Sequence, residues 1–210
     1  IDIYRSTNSS ITNNSGASIS SVGNTIRTGG TSGDPSTGYT ITNSGKIFST
    51  STGTKSSVLF GNENSSGGTI TNNLGAEIYS GGNVATIRVG GTTTITNRGS
   101  IKNNASTSDN VIELLGSNNT VTLEEGSILV GKISSGSGTS GNTLKLNLGA
   151  GQGYFYETVG DFTLQDLDGN QVVKGSAGSV GQGGSETLDE LLSYKSLNLR
   201  QFFKKYKNSE

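Results

Sequence analysis

The chain has 210 residues, with 15 Lys and Arg against 16 Asp and Glu, a net charge of −1, 33 glycines and a single proline. A near-neutral chain with no basic stripe is not built for nucleic acid. With no cysteine it has no disulfide frame or thiolate metal site, and with no histidine it lacks the commonest general base and zinc ligand. Only 29% of the residues are hydrophobic, a composition that usually signals disorder, yet a narrow column of aliphatics needs no more.

Residues 1 to 9 form a lead-in in which Ile1, Ile3 and Tyr4 read as part of a coil that the chain does not fully contain. An uncapped solenoid end exposes its core, so further coils are expected above it. No apolar run reaches the ~18 residues of a membrane-spanning helix, and no signal peptide precedes Ile1, so the expectation is a mature chain or a piece of a larger one.

Five related units follow. They start at Ser10-Ile11-Thr12-Asn13, Thr40-Ile41-Thr42-Asn43, Thr69-Ile70-Thr71-Asn72, Thr94-Ile95-Thr96-Asn97 and Thr120-Val121-Thr122-Leu123. The leading aliphatics sit at 11, 41, 70, 95 and 121, in steps of 30, 29, 25 and 26 residues, the signature of stacked repeats. Thr-Ile-Thr alternates with the period of a strand. Each unit adds a second apolar point (Ile19, Ile47, Ile78, Ile101, Ile128) after a glycine turn, and a third short run (Ile26, Val58 to Phe60, Ile87 to Val89, Val111 to Leu114).

Three short strands per unit predict an all-β fold, a right-handed parallel β-helix of about five to six coils over residues 1–148. Ile95 is expected to lie buried between Ile70 and Val121. Asn13, Asn43, Asn72 and Asn97 recur in register, which predicts an asparagine ladder. The position becomes Leu123 and then Leu146, so the column grows more apolar toward its C-terminal end. The polar stretches Gly29 to Gly38, which holds Pro35, Gly61 to Gly68 and Asn103 to Asp109 read as loop insertions.

From Gly149 the pattern changes. Tyr154-Phe155-Tyr156 and the run Phe162 to Val173, read as a hairpin around Asp168-Gly169, predict a C-terminal β cap that continues into a Gly/Ser linker, together spanning residues 149–184. Thr187-Leu188-Asp189-Glu190 has the form of a capping box, and apolar positions from Leu188 to Tyr206 have helical spacing, so residues 185–210 are expected to be an amphipathic helical tail.

Catalytic chemistry finds little to use. Without histidine a Ser-His-Asp arrangement cannot form. Asp34, Glu63, Glu77, Asp109, Glu113, Glu124 and Glu125 fall at unmatched coil positions and read as solvated loop charges rather than a paired-carboxylate site. Gly149-Ala150-Gly151-Gln152-Gly153 is followed by strand-like residues, which argues against a phosphate loop. Asp166-Leu167-Asp168-Gly169-Asn170 lacks the later glutamate of a calcium loop and reads as a turn. No enzyme activity, cofactor or metal is expected.

The repeated Ile-Thr-Asn-x-Gly-x-Ile units, the more apolar last coil, the Gly-Ala-Gly turn with its aromatic cluster, and the linker into an amphipathic segment together resemble the passenger of a bacterial autotransporter (type V secretion), close to its translocator. The resemblance covers nearly the whole chain. It implies a Gram-negative protein that is secreted or held at the cell surface, a C-terminal passenger region that acts as a folding nucleus, and an outer-membrane barrel that lies outside this chain.

The expected function is that of a non-enzymatic adhesin or self-association stalk. Thr42, Thr71, Thr96 and Thr122 are the candidate binding residues, and the partner is a host or neighbouring cell surface, protein or glycan, or a second copy. Two alternatives come from other classes. Outward Thr-x-Thr columns are the device of ice-binding solenoids, although threonine also simply suits exposed strands. A non-catalytic fragment of a carbohydrate-active β-helix enzyme is the other.

Overall fold

The repeat units become rungs of one ladder. In the computed structural model, which describes residues 1–51, 58–104, 110–149 and 156–167, the strands Ser10–Asn13, Thr40–Asn43, Thr69–Asn72, Thr94–Asn97, Thr120–Glu124, Thr143–Asn147 and Thr163–Asp166 stack in that order as a seven-stranded parallel sheet. Strand alternation sends Ile11, Ile41, Ile70, Ile95, Val121, Leu144 and Leu164 inward as one in-register column. Ile95 is fully buried between Ile70 and Val121.

Two further parallel sheets complete each turn. One stacks Ser18–Ser21, Lys46–Ser49, Glu77–Ser80, Ser100–Asn103 and Ile128–Val130; the other stacks Ile26–Arg27, Leu59–Phe60, Ile87–Val89, Asn110–Leu114, Lys132–Ser135 and Thr158–Val159. The result is an all-β parallel solenoid of about five turns, with no helix among the described residues. Its core is a single column of Ile, Val and Leu, with the one buried ring of Tyr39, running from Ile26 to Leu148, which is how a chain poor in apolar residues still folds.

The second sheet corrects one expectation. Ile101 pairs with Leu129, not Ile128, and Ile128 is 53% exposed. The cause is an alternation of turn lengths. From Asn13 to Ile19, Asn72 to Ile78 and Leu123 to Leu129 the turn is long and passes through Gly16, Gly75 and Gly126, at φ of 77°, 77° and 86°. From Asn43 to Ile47 and Asn97 to Ile101 it is two residues shorter. There Gly45 and Gly99 lie so close to the preceding turn that a Cβ would come within 2.2 Å of Ala17 O and 2.3 Å of Ala76 O.

A second periodic corner precedes the seven-stranded sheet. Asn8, Gly38, Gly67, Thr92, Asn118 and Gly141 each stand two residues before a rung, all left-handed with φ between 51° and 69°. Upstream of this corner, parts of two expected loops are also paired. Ser36–Thr37 and Ser65–Ser66 form a short parallel sheet, and Asn62 clamps the preceding coil by accepting from Gly30 N and donating to Gly30 O at 3.2 and 2.9 Å.

Stacking does not stop at Leu148. Thr158–Val159 pairs with Lys132–Ser135, and Thr163–Asp166 pairs in parallel with Thr143–Asn147, so the first strand of the expected hairpin is another rung. The turn at Asp168-Gly169, the second strand of that hairpin, the linker, the tail, and Tyr154 and Phe155 lie outside the described residues.

Candidate functional site

The four threonines singled out by sequence come together. Thr12, Thr42, Thr71, Thr96 and Thr122 occupy consecutive rungs in register, followed by Lys145 and Gln165. Beside them run Ser10, Thr40, Thr69, Thr94, Thr120, Thr143 and Thr163 without interruption. Rungs are ~4.8 Å apart and outward neighbours along one strand ~6.6 Å apart. Hydroxyls and methyls therefore repeat as an in-register lattice. Thr40, Thr69 and Thr94 are exposed and Thr42, Thr71, Thr96 and Thr122 half-buried, and among the described residues no group hydrogen-bonds to any of these seven hydroxyls.

What holds the face rigid lies directly beneath it. Asn13 Nδ2 donates to Asn43 Oδ1 at 2.7 Å, Asn43 to Asn72 at 2.9 Å and Asn72 to Asn97 at 2.8 Å. The same nitrogens donate to the backbone oxygens of Lys46, Glu77 and Ser100, and Asn97 ends the chain on Ser127 Oγ. These asparagines point inward and are almost fully buried. In coil five the position becomes Leu123, and the polar seam moves to the corner before the sheet. There Asn119 N and Nδ2 both donate to Asn142 Oδ1. Buried amides of this kind are tolerable only when paired.

Three of the seven acidic residues depart from the expectation of solvated loop charges. Glu77, Glu113 and Glu124 lie on strands and meet cations of adjacent rungs, Lys46 at 3.8 Å, Arg88 at 2.5 Å and Arg98 at 2.8 Å. Asp34 lies 3.9 Å from Arg5. Glu63 and Glu125 are exposed, and Asp109 is outside the described residues. Among the described residues no three His, Cys, Asp or Glu side chains gather as a metal site would require.

Sequence reasoning missed one feature of the outer surface. Phe48 and Tyr79, in register on adjacent rungs of the second sheet, stack with ring centroids 4.9 Å apart and planes 5° from parallel. The signal was available in Lys46-Ile47-Phe48 and Glu77-Ile78-Tyr79, where an aromatic follows each inward isoleucine.

These observations define a repeat protein of the parallel β-solenoid class, with a threonine-lined face. No known protein family, characterised protein or solved structure matches the chain.

Proposed function

We propose that this chain is a right-handed β-helical part of the surface-exposed passenger of a bacterial autotransporter, acting without catalysis as an adhesive or self-associating stalk. The hand follows from the strong preference of parallel crossovers for right-handed winding. In this reading residues 149–184 close the column, residues 185–210 form a helical tail, and an outer-membrane barrel beyond this chain provides the anchor.

The observation that carries the reading is the unpartnered threonine lattice. Polar groups with no internal partner, repeated at fixed spacing on a rigid sheet, offer many weak contacts instead of one pocket. If each contributes ~0.5 to 1 kcal/mol, a handful acting together hold two surfaces, and many copies per cell multiply the effect. The test is aggregation and surface attachment of cells that display the full-length protein, compared with cells that display it without residues 10–148. Equal aggregation and attachment by both would remove the adhesive role from these coils.

A second reading is favoured by the unbroken Ser/Thr column on all seven rungs, which also suits an ice-binding face. Thermal hysteresis of the purified chain distinguishes it, since a glycan- or protein-binding face produces none.

A further inference from the structure

We infer that the outward face of the second sheet carries a sugar-stacking step, formed by the ring of Phe48 above Ser20, that takes a single neutral pyranose. This rests on the adhesive reading above and adds to the threonine lattice a second contact, on a different sheet, with its own ligand class.

Phe48 points outward because its strand neighbours Ile47 and Ser49 are buried. One face of its ring is covered by Tyr79. The other looks along the solenoid axis toward Ser20, its register partner on the preceding rung. Ser20 is exposed and short, and among the described residues no second ring stacks on this side of Phe48. The stack therefore ends at the half-buried ring of Phe48, with only the short side chain of Ser20 in register on the next rung.

The rim of the step is polar. Ser18 and Lys46 lie one outward position along the same two strands, and both are exposed. Glu77 lies 3.8 Å from Lys46, beyond a direct hydrogen bond, so the ammonium keeps donors for a ligand. An aromatic plane bordered by hydroxyls and one ammonium matches a disc with an apolar C–H face and hydroxyls around its edge, which is the shape of a pyranose. Nothing at the step concentrates positive charge, since Glu77 balances Lys46, and this favours a neutral sugar over a sulfated or carboxylated one. Tyr79 behind Phe48 stiffens the platform, as offset or stacked aromatic pairs do.

The test titrates the 210-residue chain with the methyl glycosides of glucose, galactose, mannose and N-acetylglucosamine while observing the ring protons of Phe48 and Tyr79 by NMR. One of them is expected to shift these protons saturably. Ser20→Phe, which adds a third ring in register and fills the step without touching the core, should weaken that binding by about tenfold or more, as should Phe48→Ala. Glu125→Gln, at an exposed turn position away from the step, should leave it unchanged. The inference is overturned if no glycoside perturbs the two rings, or if Ser20→Phe binds as well as the native chain. Cells that still aggregate while every glycoside fails would sink the step alone and leave the adhesive reading standing. Loss of both would remove both.

Discussion

The phenol of Tyr39 reaches Thr93 two rungs away inside the column, with its hydroxyl 3.2 Å from Thr93 Oγ1. It passes over Gly68 on the intervening rung, where a Cβ would come within 2.1 Å of the ring. The ring is fully buried and cannot swing aside. Gly68→Ala should therefore destabilise the chain by about 1 to 3 kcal/mol or more through overpacking, measured by chemical denaturation, and Tyr39→Phe in the same background should not restore it.

Burial raises the Tyr39 phenol above its ordinary 10.0, outweighing the lowering effect of hydrogen bonds with Thr93, Thr28 and Ser65. Above pH 10 the unfolded chain releases this proton while the folded chain keeps it, so stability falls as pH rises. It is fully present below pH 10 and is lost as pH climbs through the higher folded value. Tyr39→Phe should make the alkaline decline shallower. The remaining slope belongs partly to Tyr156, raised by burial and by Asp166.

Ile95 has no exposed surface and lies in register between Ile70 and Val121. Ile95→Asp places an unpaired carboxylate in the column at a cost of several kcal/mol. The middle coils should unfold, seen as loss of strand signal in circular dichroism. An unchanged melting temperature would show the register to be wrong.

The register of coil five has its own check. Leu129 packs, partly buried, against the core and Ile128 is exposed, so Leu129→Asp should destabilise by about 1 to 3 kcal/mol, while Ile128→Asp should stay within about 0.5 kcal/mol.

The asparagine ladder is polar in direction, and its members are not equivalent. Asn72→Leu takes from Asn97 Oδ1 its donor and leaves a buried acceptor unpaired. Asn13→Leu leaves Asn43 Oδ1 still bonded to Gly45 N. Asn72→Leu should therefore cost about 1 to 3 kcal/mol more than Asn13→Leu, compared by equilibrium denaturation.

Most of the ladder was legible in the sequence because a strand repeats with a period of two and each rung restates the same Thr-Ile-Thr-Asn. Ile128 was misplaced because the second turn alternates between two lengths, and the glycine that marks it takes a left-handed conformation in one form and makes a close backbone approach in the other. The left-handed corner from Asn8 to Gly141 is not legible in the sequence because Asn, Gly and Thr share it, so no single residue type marks it. Ion pairs such as Arg88 with Glu113 were hidden for a different reason. Arg88 and Glu113 are 25 residues apart, and only the coil length of that particular turn brings them together. The candidate threonines were legible as a column, but their lack of internal partners is a property of packing alone.

The most direct measurement is aggregation and attachment of cells displaying the full-length protein with Thr71→Lys and Thr96→Lys together. Both positions are outward, so the fold should persist, with an unchanged strand spectrum and melting temperature. Adhesion through the threonine face predicts that aggregation and attachment fall sharply. If both persist at native levels while deletion of the loop between Gly29 and Gly38 abolishes them, the threonine face is only a spacer and its adhesive role is contradicted.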